Sequence, residues 1–144
     1  MRPNKLRNRR YRTARITRQK RALFERLFKQ VFHTLPAAAR DLLKTIPVAV
    51  DDYPTTVIQT EMKVDSDELF GLYTGTPPVE RSIEHVGSLG DVIHIYRMAL
   101  LLDATTRTGR IDQDRLRKQI RITLLHELGH YHGFDEDELD RLGY

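Results

Sequence analysis

Leu116, Ile120, Leu124 and Leu128 recur every fourth residue, and no other feature of this chain restricts its fold as much. A four-residue recurrence keeps side chains on one side of an α-helix. It predicts a long helix whose apolar stripe the rest of the molecule must cover. Asp112, just ahead of the stripe, has the side chain of an N-cap and can accept from a backbone N–H left unpaired in the first turn. Gly133 stops the helix, because glycine takes the left-handed conformation that a helix end requires. Asp135, with Glu138 three residues on, then reads as the start of a last helix with a capping box.

The stripe runs into an H-E-x-x-H pattern made by His126, Glu127 and His130, with Gly133 and the acids Asp135, Glu136, Asp137 and Glu138 close behind. Residues four apart on a helix differ by about 40° in direction and about 6 Å in height. His126 and His130 therefore point from one face and can close on one ion at about 2.1 Å from each imidazole nitrogen. Glu127 sits beside the pair, where it can take a proton from a metal-activated water. The geometry points to zinc hydrolase chemistry. A catalytic zinc needs a third protein ligand and one open position. Gly133 lets the chain turn back, so Glu136 is the expected third ligand, with Asp137 and Asp135 as rivals and Asp135 better suited to capping. His132, about 200° round the helix from His130, should face away.

The absence of cysteine removes thiolate ligands and disulfides, so any zinc must be held by His and carboxylate groups. No apolar run approaches the ~20 residues of a membrane span, and the basic N-terminus lacks the apolar stretch of a signal peptide. A cytoplasmic location is the expectation. The net charge of +4 hides an asymmetry: residues 1–21 hold ten Lys or Arg and no acid, leaving 22–144 at −6. Residues 1–21 read as a basic, disordered arm that would contact nucleic acid or another anionic surface, and 22–144 as a single domain.

Within that domain, Leu23, Leu27 and Val31, with Phe24 and Phe28 alongside, predict a first helix over 22–32. A short helix follows from Pro36 through Lys44, ended by Pro47. Val48–Val50, Leu69–Thr74 and Val92–Tyr96 read as strands, 98–104 as a helix, Gly75–Ser82 as a loop and Gly87–Asp91 as a turn. Residues 55–67 show no clear period. His94 and Tyr96 alternate with Ile93 and Ile95 on the third strand. If that strand borders the cleft, either side chain would meet substrate or stabilise an oxyanion.

Taken together, residues 22–144 resemble the small bacterial zincin-like metallopeptidases, sometimes called minimal metalloproteases. The resemblance rests on the H-E-L-G-H motif at 126–130, the block from Glu68 to Ser82, the strand end Ile95, Tyr96 and Arg97, and the terminal stretch from Asp137 to Gly143. It implies an α/β (α+β) zincin-like fold in one domain, with a small mixed sheet packed on the motif helix. It also implies zinc held by His126 and His130, Glu127 as general base, and a peptide or protein substrate. Glu136 stands where larger H-E-x-x-H-x-x-G proteases place their third ligand.

Two other classes compete with a zinc peptidase. One is a non-catalytic metal-binding interaction module, in which a closed four-ligand site would staple the fold. The other is a metal-dependent ribonuclease, whose H-x-x-x-H-x-x-G-x-x-H outline is shared in part and whose substrate would suit the basic arm. Glu127 beside the first histidine, and Glu136 in place of a third, favour the peptidase.

Overall fold

The computed structural model describes residues 15–75, 90–142 and 144. Among them the chain runs through α1 (Arg18–Thr34), α2 (Ala37–Thr45), β1 (Val48–Asp51), α3 (Thr56–Met62), β2 (Gly71–Thr74), β3 (Val92–Tyr96), α4 (Arg97–Asp103), α5 (Gln113–Tyr131) and α6 (Glu136–Leu142). The arm up to residue 14, and most of the expected loop after Gly75 and of the turn before Asp91, lie outside the described residues.

Helix α1 starts where Thr17 accepts a hydrogen bond from the Lys20 N–H, so residues 18–21, assigned by composition to the arm, form its first turn. Arg21 is tied down there, its guanidinium donating to both carboxylate oxygens of Asp52. Phe24, Leu27 and Val31 are the buried face of α1. They meet Leu116, Ile120 and Leu124 of α5, Ile93 and Ile95 of β3, and Leu100 and Leu101 of α4 in one core. Burying a leucine or isoleucine side chain contributes about 1.5–3 kcal/mol, so the packing of α1 and α5 is the main stabilising contact around the sheet.

The sheet is small and mixed, in the order β1-β3-β2, with β1 parallel and β2 antiparallel to β3. Together with the surrounding helices it makes a single α+β domain. β3 is thus the central strand and has no free side. Among the described residues, the edge strand beside α5 is β2. The Tyr96 N–H donates to the Phe70 carbonyl. In an antiparallel pair the backbone groups turn inward at every second residue. Leu72 therefore faces β3 with its N–H and C=O, while Gly71 and Tyr73 turn theirs outward. No described helix is long and apolar enough to cross a membrane.

Candidate metal centre

Two helix ends build the site. α5 begins as its sequence dictates, with Asp112 accepting from the Arg115 N–H at 3.1 Å. It ends at Tyr131, with His132 as an exposed C-cap, and Gly133 turns the chain at φ +89°. The Phe134 N–H returns to the Gly129 carbonyl at 3.0 Å. The next helix is opened by a reciprocal capping box: the Glu138 N–H donates to Asp135 Oδ1 at 2.9 Å, and the Asp135 N–H to Glu138 Oε2 at 3.1 Å. Glu136, the first residue of α6, is thereby set against the end of α5.

Three side chains converge. His126 Nε2 lies 3.1 Å from His130 Nε2. Glu136 Oε1 is 2.9 Å from His130 Nε2, and Glu136 Oε2 is 3.2 Å from His126 Nε2. Two ligands on a tetrahedral zinc at bonds of about 2.0–2.1 Å stand about 3.3 Å apart, so this spacing fits a divalent ion within a few tenths of an ångström. The tautomers fit as well. His130 Nδ1 faces the Phe134 carbonyl at 3.0 Å, and a carbonyl only accepts, so the proton sits on Nδ1 and the Nε2 lone pair points into the cluster. Imidazole nitrogens and a carboxylate are also the donors that zinc takes in the absence of thiolates.

Glu127 lies beneath this group. Its nearest oxygen and one nitrogen from each of His126 and His130 fall within 4.8 Å of one another. Only 6% of Glu127 is exposed, and with Thr123 it is one of two buried polar residues among those described. Glu127 Oε2 accepts from the backbone N–H of Tyr73, on the outward side of β2, at 2.7 Å. Burial pushes the Glu127 carboxyl above the usual carboxylate range, against the opposing pull of His130, His126 and the Tyr73 N–H. The helix and the strand approach closely because residue 71 is glycine. A Cβ there would stand 2.7 Å from Thr123 Cγ2, 2.9 Å from the His94 carbonyl and 3.4 Å from Glu127 Cγ.

The four groups open into a cavity of about 510 Å³ walled by Met62, Leu69, Leu72, Tyr73 and Phe134. Asp135 lines its rim while capping α6, and Asp137 does not reach it. His94 and Tyr96 do not reach it either. β3 alternates, and its partners Gly71 and Ile95 lie on the α5 side, which leaves His94 and Tyr96 on the opposite face of the sheet. There the two rings stack at 6.3 Å and line a separate hollow with Asp51, Asp52 and Tyr53. Burial lowers the His94 pKa and, aided by Asp51 and Glu127, pushes the Tyr96 phenol up to about 12. The strand expected to border the cleft is separated from its open side by β2, and neither side chain lines the cavity.

Reasoning from side-chain types overlooks two backbone groups, the Tyr73 N–H and the Phe134 carbonyl. Gly71 did carry a signal, since glycine inside a strand often marks a close approach.

The zincin-like metallopeptidase family profile matches residues 43–144, which takes in β1 to β3, α5 and the cluster of His126, Glu127, His130 and Glu136. No curated protein matches the sequence. With the profile covering well over half of its residues, the chain belongs to the zincin-like metallopeptidase family.

Proposed function

We propose that this protein is a zinc-dependent peptidase in which His126, His130 and Glu136 hold the metal and Glu127 is the general base. The observation that carries the reading is the convergence of two imidazole nitrogens and one carboxylate at 2.9–3.2 Å, directly above a buried glutamate. Bound there, zinc would supply Lewis acidity and lower the pKa of water to about 7.

The chain's own residues do the rest. Glu127 takes the proton of the attacking water and passes it to the leaving amine, a transfer worth roughly 10²- to 10⁴-fold in rate. The Phe134 carbonyl keeps the proton of His130 on Nδ1. An extended peptide lies along the outer edge of β2. Met62, Leu69, Leu72 and Phe134 exclude water around the scissile bond and receive apolar side chains.

Elemental analysis of protein purified without chelator tests the metal, and a peptide-library digest tests the reaction. The expected result is one zinc per chain, lost in His130→Ala and weakened in Glu136→Ala, with peptide cleavage in the wild type. Protein that takes up no zinc when it is supplied, or that binds zinc and cleaves no peptide under any condition, overturns the proposal.

A further inference from the structure

Glu127 is held by a backbone N–H, and the position of that group is set by the sheet. We infer that the Tyr73 N–H is a positioning element for Glu127, so that the outer edge of β2 forms part of the catalytic apparatus as well as a place for substrate to lie. The inference rests on the peptidase reading given above.

The argument starts from register. Tyr73 pairs with Ile93, and the Phe70–Tyr96 bond fixes which residues of β2 turn inward. Tyr73 therefore presents its N–H away from the sheet, where an edge strand would otherwise offer an unpaired donor. That donor is not left for solvent. It lies 2.7 Å from Glu127 Oε2, a residue 54 positions away in sequence. Among the described residues this is the only hydrogen bond of the Glu127 carboxylate. A glutamate at the floor of a cavity of about 510 Å³ could otherwise swing its carboxylate through several rotamers. The bond commits Oε2 and leaves Oε1 as the oxygen that meets water.

Two further observations show that the approach is built in. Thr123 and Glu127 are one turn apart on α5, and Gly71 is the residue that lets both come against β2. Tyr73 is also clamped from its side chain, its hydroxyl donating to Asp91 and its ring meeting Tyr131 edge-on at 5.9 Å. The donor thus sits on a strand held by β3 on one side and by α5 beneath it.

Tyr73→Pro tests the contact, because proline removes this N–H and no rung of the β2–β3 ladder depends on it. The expected result is an unchanged zinc content and a kcat lower by about 10- to 100-fold, the cost of an ill-placed base, whatever change in KM follows from losing the Tyr73 side chain in the cavity wall. Unchanged kcat in a folded, zinc-loaded variant overturns the inference, and so does a loss confined to KM. The amide itself gives a readout independent of activity and of whether the proline variant folds. Nitrogen-labelled wild-type protein should show a slowly exchanging Tyr73 amide. Glu127→Ala should speed that exchange by at least about tenfold and shift the amide proton upfield. Equal exchange in the two proteins overturns the inference. A wild type that cleaves no peptide counts against the peptidase reading, and the amide measurement then decides the contact alone.

Discussion

Helix α5 carries two stripes that share a backbone and obey different rules. Leu116, Ile120 and Leu124 are fully buried against α1 and the sheet, and each side chain is apolar. Thr123 and Glu127, also four apart and also buried, face β2 and are polar. The first stripe stabilises the fold by removing hydrocarbon from water. The second places a carboxylate where burial opposes its charge, offset by one hydrogen bond to Tyr73 and by the two histidines. Stability and chemistry are thus divided between two sides of one helix, and substitutions on each should be separable.

Glu127→Gln should have the largest effect and should leave the fold alone. The amide oxygen of glutamine can still accept from the Tyr73 N–H, but it cannot carry a proton. Turnover should fall by about 10²- to 10⁴-fold, with zinc content retained and thermal stability held or slightly raised. Steady-state kinetics beside a thermal melt make the check. A glutamine variant that turns over at the wild-type rate would remove Glu127 as general base and collapse the distinction between the stripes.

Leu124→Ala is the counterpart on the apolar side. Truncating a fully buried leucine costs about 2–5 kcal/mol, and Leu124 is 0% exposed. Denaturant unfolding should show that loss with and without zinc alike, while kcat of the folded fraction stays near wild type. A large fall in kcat at full folding would mean that the core stripe also sets the geometry of the site.

How far the sequence reveals each stripe follows from the same contrast. The apolar stripe, the Asp112 cap, the stop at Gly133 and the Asp135–Glu138 capping box are local, written in residues three or four apart, and the structure has all of them. Helix α3 could not be read because none of its residues is buried. It is held by the Thr55 side chain at its start and by Lys63 at φ 55° at its end, so hydrophobic period carries no trace of it. The order of the strands could not be read either. Whether Val92–Tyr96 lies at an edge or in the centre depends on β2 joining it from the far side, a long-range pairing. That single fact moves His94 and Tyr96 away from the cavity and brings Tyr73 into it. The clustering of His126, Glu127 and His130 was legible because helix geometry alone dictates it. The approach of Glu136 needed the turn after Gly133 as well.

Gly71→Ala probes the seam between the stripes and should cost less than the core truncation. The new methyl would stand 2.7 Å from Thr123 Cγ2 and 2.9 Å from a backbone carbonyl, so β2 or α5 must shift. Overpacking of this kind costs about 1–3 kcal/mol. The displacement acts on the strand that holds Glu127, so kcat should fall together with stability, unlike either variant above. Loss of stability at constant kcat would show that the site tolerates movement of β2.

The two helix caps give the smallest and sharpest contrast, because the same chemistry serves different ends. Asp112 and Asp135 each accept from a backbone N–H three residues on, at 3.1 and 2.9 Å. Replacing an N-cap aspartate with alanine costs about 0.5–2 kcal/mol. Asp112→Ala removes the cap at the far end of α5, on the side of the core stripe. It should lower unfolding free energy by about 1 kcal/mol and leave the zinc affinity as it was. Asp135→Ala loosens the first turn of α6, a helix of only seven residues. Its cost in global stability should be the smaller of the two, but Glu136 begins that turn, so the effect should appear in the metal. Competitive chelator titration should give a zinc affinity several-fold weaker in Asp135→Ala and unchanged in Asp112→Ala. Equal affinities in both would mean that Glu136 finds the histidines without its cap, and that the turn at Gly133 alone brings its carboxylate to the site.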